Sequence, residues 1–186
     1  MAANPKSTVM TLAEFEEFAA LPANRDRRLE FIDGEMIELV SNEISGHLTL
    51  LLSSLITIYV TQHDLGYTTS AESGFRIGNN DFIPDCAFIA KATREKPIGE
   101  TWITVVPDLV VEVKSPTDSF SGLVNKVGHY LAAGVKQVWV VLPDKRRLDV
   151  YTQDDHHSFT VGETVTGGDV LPGFALHIAD LFAKLS

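Results

Sequence analysis

The chain is short of sulfur, of positive charge and of long apolar runs, and each shortage excludes something. Cys86 is the one cysteine, so no intrachain disulfide can form and nothing points to an oxidising compartment. Lysine and arginine number 15 against 25 aspartates and glutamates, a formal net charge of -10. That acidity argues against a general nucleic-acid binder that grips phosphates through a broad basic surface. It leaves room for an enzyme whose acidic cleft first binds divalent cations, because the ions then set the local field. The most apolar window, Leu48 to Val60, covers 13 residues and contains Thr49, Ser53, Ser54 and Thr57. That is short for a membrane span and suits a buried or interfacial helix. Met1 to Thr11 lacks a basic region followed by an apolar run, so no secretory signal is expected, and the expected setting is cytoplasmic.

What is present is enough for one substantial core: 186 residues, 45% hydrophobic and 22% charged. With no internal repeat, low-complexity tract or linker, the expectation is a single domain over residues 1–186, with 1–10 frayed. Thr11 and Glu14 match a capping box, and Leu12, Phe15, Phe18 and Ala19 recur at helical spacing, so a short helix should stop near Pro22. Asp33-Gly34 between two alternating segments signals a hairpin. Ser41 and Asn42 can cap a long helix that runs to about His63; its apolar centre suggests burial on more than one side, as at a dimer interface. Tyr67 to Ile77 and Phe82 to Ala90 read as strands, Lys91 to Thr104 as a loop, and Ser119 to Ala133 as a helix stopped by Gly134. Lys136 to Leu142 reads as a buried strand, so the strand–helix–strand order implies a right-handed parallel crossover. Arg147 to Thr152, Ser158 to Val161 and Thr164 to Thr166 suggest outer strands. Leu171 to Phe174 suggests a loop and Ile178 to Leu185 a terminal helical turn or two.

The centre of the pattern is Pro107 to Pro116, a β-branched and aliphatic run that reads as a strand covered on both faces. Glu112 and Lys114 interrupt it. Alternation puts both on one side, roughly 6–7 Å apart. Two buried charges need a reason: a structural ion pair, or a metal site with a positioned lysine. Asp85 lies on the preceding strand, and neighbouring strands would bring Asp85, Glu112 and Lys114 to one end of a sheet. With the backbone carbonyl of Val113, the two carboxylates make an oxygen-rich site suited to Mg²⁺ or Mn²⁺. Lys114 could then orient or acidify a bound water and stabilise charge at phosphorus.

Pro84-Asp85 followed by Glu112-Val113-Lys114 is similar to the P-D…(D/E)-x-K signature of the restriction-endonuclease-like nucleases. Five ordered stretches sharpen this to the Uma-type branch, long classed as a domain of unknown function. They are Leu29 to Glu35, Pro84 to Phe88, Pro107 to Pro116, Lys126 to Tyr130 with Gly134-Val135, and Val138 to Pro143. The resemblance implies an α/β fold with a central mixed sheet flanked by helices, a Mg²⁺-dependent (or Mn²⁺-dependent) phosphodiesterase centre acting on DNA, and a homodimer, with no membrane and no small organic cofactor. By position it makes Asp85 and Glu112 the metal carboxylates and Lys114 the signature lysine, which many members of the branch replace with an apolar residue. It also marks Lys126 on the following helix as a group that can project into the site, with Glu30 and Glu43 as further acids and His47 as a matching histidine. The alternative is a catalytically silent nuclease-fold dimer that binds or regulates; an enzyme acting on a small phosphate ester also fits the charge.

Plainer readings stand beside each of these residues. Asp85 can be a turn residue after proline, Glu30 a hairpin surface charge, Lys126 a solvated helix residue and His47 an ordinary helical histidine. Asp154-Asp155-His156-His157 has metal-ligand residue types but sits in an expected turn, where solvation is the simpler reading. Cys86 should face away from Asp85 as a small core residue. Arg25, Arg27 and Arg28 are too few to establish a DNA-binding surface.

Overall fold

A computed structural model describes residues 9–185, so the expected fraying of residues 1–10 falls almost wholly outside the described residues. Thr11 caps α1 (Leu12–Ala20) through the anticipated capping box with Glu14, and a single-turn helix at Pro22–Asn24 follows. β1 (Leu29–Ile32) and β2 (Glu35–Glu38) form the hairpin. Asp33 and Gly34 take φ of 53° and 83°, the positive pair that a type I′ turn requires. Asn42 caps α2 (Glu43–Gln62) by accepting the Ser45 N–H at 2.9 Å.

The next two expected strands are each broken in two. Residues 66–77 form β3 (Gly66–Ser70) and β4 (Gly74–Ile77), and residues 80–90 form β5 (Asn80–Phe82) and β6 (Cys86–Ala90). At each break the chain leaves one sheet for the other. β7 (Trp102–Ile103), within the stretch expected to be loop, pairs in parallel with β4. β8 (Leu109–Val113), α3 (Phe120–Ala132) and β9 (Gln137–Leu142) complete the parallel crossover. β10 (Arg147–Tyr151), β11 (His156–Thr160), β12 (Thr164–Gly167), β13 (Leu171–His177) and α4 (Ile178–Leu181) end the described chain. Leu171 to Phe174, expected as loop, therefore opens a strand. Its Pro172 sits in a two-stranded ribbon with a register shift at Thr166/Gly167, where a missing N–H is tolerated.

The five-stranded sheet runs β2-β1-β5-β4-β7 and the six-stranded sheet β11-β10-β9-β8-β6-β3. One face of the larger sheet packs on α2, α4 and the β12–β13 ribbon, burying Leu48, Leu52, Ile56, Val111 and Trp139. The other face meets α3 and the smaller sheet through Val110, Val127, Tyr130, Phe75 and Phe82. β8 is buried on both faces, as its composition implies. α2 is 20 residues and contains an 18-residue window with a mean hydropathy of 1.5, long and apolar enough by those two measures to cross a membrane. The apolar stretch is thus longer than the 13-residue window suggests. Yet Leu48, Leu52, Ile56 and Val60 form one stripe sunk into this protein's own core. Within the chain α2 is buried on one side only, because it lies on a single sheet face, and Leu50 and Ile58 are 68% and 54% exposed.

Candidate active site

The break between β5 and β6 places Asp85 where the two sheets meet. Pro84 cannot donate to a ladder, and the Asp85 Oδ2 takes over the Val113 N–H at 2.7 Å. Asp85 is thus not within a strand but bonded to the end of β8. Alternation along β8 sends Leu109, Val111 and Val113 toward α2 and leaves Glu112 facing α3. There Lys126 and Tyr130, one helical turn apart, both reach it. Tyr130 Oη donates to Glu112 Oε1 at 2.7 Å, and Lys126 Nζ lies 2.9 Å from the same oxygen. Lys126 Nζ is also 2.9 Å from Glu30 Oε1, which accepts the Ile83 N–H at 2.8 Å as well. Glu30, Glu112, Lys126 and Tyr130 are all buried. The readings of Glu30 as a hairpin surface charge and Lys126 as a solvated helix residue are therefore excluded.

Lys114 is the main correction. It follows the last residue of β8, and its backbone N–H continues the pairing to Val141 O at 2.9 Å. Its ammonium donates to Ser115 O at 3.0 Å and, among the described residues, pairs with no carboxylate. It does not line the cavity that Asp85, Glu112, Glu30 and Lys126 share. The reading of Glu112 with Lys114 as a structural ion pair does not hold: Glu112 is ion-paired, but with Lys126. Glu43 and His47 also lie outside the cavity; Glu43 is exposed at the start of α2, and His47 Nε2 is buried without a partner among the described residues. Asp154 to His157 are exposed.

The cavity, about 320 Å³, lies between the β1–β2 hairpin and the start of α3. The hairpin is fastened to that helix at its tip: Asp33 Oδ2 accepts from Asn125 Nδ2 at 2.9 Å and lies 2.9 Å from His129 Nε2. Those hydrogen bonds hold the Asp33 carboxyl below its usual range. Near the end of β8, Ser115 N–H donates to Asp118 at 2.6 Å, and Ser119 caps α3 through Gly122 N–H at 3.0 Å. The residues least visible beforehand are Arg28 and Tyr130. Arg28, Glu30 and Ile32 alternate on the cavity side of the hairpin, and the i, i+4 spacing of Lys126 and Tyr130 on α3 is the signal that unites those two.

Three carboxylates crowd around one ammonium, and the acid equilibria follow. Burial raises the Glu112 carboxyl to about 8, the Glu30 and Asp85 charges push the same way, and Lys126 opposes them. Burial also raises Asp85, against the Val113 N–H and the charges of Lys126 and Arg28. Burial alone would lower Lys126, but Glu112 and Glu30 more than offset it, so its amine stays charged. Tyr130 is pushed well up, by burial and then by Glu112, so its hydroxyl remains a donor. The donor set fits a hard divalent cation. Asp85 Oδ2 is bonded to the Val113 N–H and Glu112 Oε1 to Tyr130, both side chains line the cavity, and Val113 lines it beside them. Mg²⁺ needs only one or two carboxylates, since it keeps several waters.

The sequence profile of a family described as "Uma2: Putative restriction endonuclease" matches residues 15–179. Among solved structures, the chain is similar to a putative nuclease belonging to DUF820 from Anabaena variabilis, with a TM-score of 0.82. The identity is 22%, and the match covers 95% of this chain and 99% of the other. At that identity the likeness establishes the fold. No curated protein matches.

Proposed function

The chain belongs to the Uma2 family of putative restriction endonucleases, and from that membership we propose that it hydrolyses phosphodiester bonds of DNA with Mg²⁺ or Mn²⁺. The observation that carries this reading is the meeting of Asp85 and Glu112 at the end of β8, in one cavity with a buried, charged Lys126. Asp85, Glu112 and the Val113 carbonyl are the groups that would hold the ion. When bound, such an ion neutralises charge at the attacked phosphate and acidifies a water. Lys126 adds a fixed positive charge where negative charge grows in the transition state. Tyr130 holds Glu112 in orientation by its 2.7 Å hydrogen bond. In this reading Lys126, not Lys114, is the working lysine of the site.

The test is nicking of supercoiled plasmid with Mg²⁺, Mn²⁺ or EDTA, comparing wild type with Asp85→Asn and Glu112→Gln. Cleavage by the wild type alone supports the reading, and metal-dependent cleavage that survives both substitutions sinks it. We also propose that a second copy covers the open face of α2, where Leu50 and Ile58 are exposed. Sedimentation of wild type and Leu50→Lys decides this: a monomeric wild type removes the dimer. A folded protein that takes up no Mn²⁺ in calorimetric titration turns the assignment toward a silent binding module.

A further inference from the structure

The cavity walls carry six carboxylates, from Glu30, Asp33, Glu35, Asp85, Glu112 and Asp118, and two cations, from Arg28 and Lys126. Lys126 is consumed by Glu30 and Glu112. Arg28 is not consumed. Its side chain forms no ion pair and no hydrogen bond among the described residues, and its Nε is buried without a partner. A guanidinium left this way in a cavity rich in acids is unusual, because a half-desolvated donor without an acceptor is costly. Its charge is felt at Asp85, where it favours the ionised carboxylate, so it acts at the metal-ligand end of the cavity. The backbone is fixed there by Leu39 N–H, which donates to Arg28 O at 2.9 Å. The hairpin therefore holds the base of the side chain rigidly while its planar head remains open. A planar fork of donors matches the non-bridging oxygens of a phosphate and engages them two at a time.

We infer that Arg28 binds a phosphate of the substrate in this cavity and is the residue that draws a polyanion into an otherwise acidic site. The inference rests on the proposed phosphodiester chemistry, and its test separates the two. Binding of a fluorescein-labelled duplex oligonucleotide is followed by anisotropy with Ca²⁺ present, as a function of salt, for wild type, Arg28→Ala and Arg28→Lys. Arg28→Ala should bind about tenfold more weakly whatever the sequence, with the slope of log K against log salt reduced by about 0.9. Arg28→Lys should keep the slope and recover part of the affinity, because a point charge still meets the phosphate. Both variants should still take up Mn²⁺ by calorimetry, since Arg28 is not a proposed ion ligand, and their urea midpoints should not fall, since its side chain bonds no other group among the described residues. Equal oligonucleotide affinity in wild type and Arg28→Ala overturns the inference. If wild type binds no oligonucleotide, the same variants are titrated with thymidine 5′-monophosphate and with inorganic phosphate. Binding lost in Arg28→Ala then upholds Arg28 as a phosphate site for a small ester and removes the DNA reading. No binding of any of the three probes by wild type overturns Arg28 as well.

Discussion

Lys126 Nζ lies 2.9 Å from Glu112 Oε1 and 2.9 Å from Glu30 Oε1, so one buried ammonium joins a carboxylate of the smaller sheet to one of the larger. Removing it leaves two acids buried against each other. Lys126→Ala should therefore lower stability by about 3–5 kcal/mol, while Lys114→Ala, which removes only a contact to Ser115 O, should stay within about 0.5 kcal/mol. Urea unfolding of the two variants makes the comparison. Equal losses would remove the distinction between the two lysines.

The same pair of lysines separates the roles in catalysis. Lys114→Ala should retain plasmid nicking within a fewfold, whereas Lys126→Met, which keeps the stem but not the charge, should lose it. The measurement is a single-turnover rate at saturating enzyme on variants whose circular dichroism matches wild type. Loss of nicking in Lys114→Ala alone would return the signature lysine to its sequence position.

A pH effect on stability is expected at Asp108. Burial alone would raise this carboxyl, but Lys136 at 2.7 Å, the Ala90 N–H and the Thr93 hydroxyl hold it below the usual value. A depressed folded-state value stabilises the protein above the unfolded-state value of about 4. That contribution fades as pH falls through the lower, folded one. The stability gap between wild type and Asp108→Asn should thus be present at pH 6 and shrink at pH 3. A gap of the same size at both would contradict the assignment.

Gly66 stands at φ +149°, and a Cβ there would lie 2.2 Å from Ile89 O and 2.8 Å from Lys91 N. These are backbone atoms of the paired strand β6 and its exit, so they cannot swing aside. Gly66→Ala should cost about 2–4 kcal/mol, read as a lowered urea midpoint with an unchanged m value.

Cys86 should be silent toward thiol reagents. Its thiol is raised to about 11, by burial first, with Ser53 opposing and Asp85 adding to the rise. At pH 8 the native protein should leave Ellman's reagent uncoloured over an hour and react fully in urea. Prompt reaction of the native protein would show that β6 opens locally.

Local chemistry announced much of this architecture. Thr11 with Glu14, Asp33 with Gly34, Ser119 and Gly134 each act within a few residues of themselves, and each marks a boundary where expected. The breaks at residues 71–73 and 83–85 were not legible. Extended backbone continues on both sides, and only pairing with distant strands assigns the halves to different sheets. Leu171 to Phe174 misled in the same way: Pro-Gly signals a turn, yet a two-stranded ribbon tolerates both residues. In the site, Asp85 and Glu112 were legible because carboxylates in buried stretches are conspicuous. Strand alternation put Glu112 and Lys114 on one side but could not say where a flexible lysine beyond the strand end would reach. That Lys126 reaches Glu112 depends on how α3 packs across β8, which is a tertiary fact.

The break at Pro84-Asp85, where the chain passes between sheets, has a consequence for the order of assembly. Glu30 comes from the hairpin, Asp85 from the passage, Glu112 from β8 and Lys126 from α3, so closing the cluster requires contacts of long sequence separation. During synthesis the three acids are made before Lys126, whose ammonium pairs with two of them, so the cluster can close only once α3 has been made. A chain that ends before residue 126 therefore has the three carboxylates without their counter-charge, and burying them lacks the pairing that the full chain supplies.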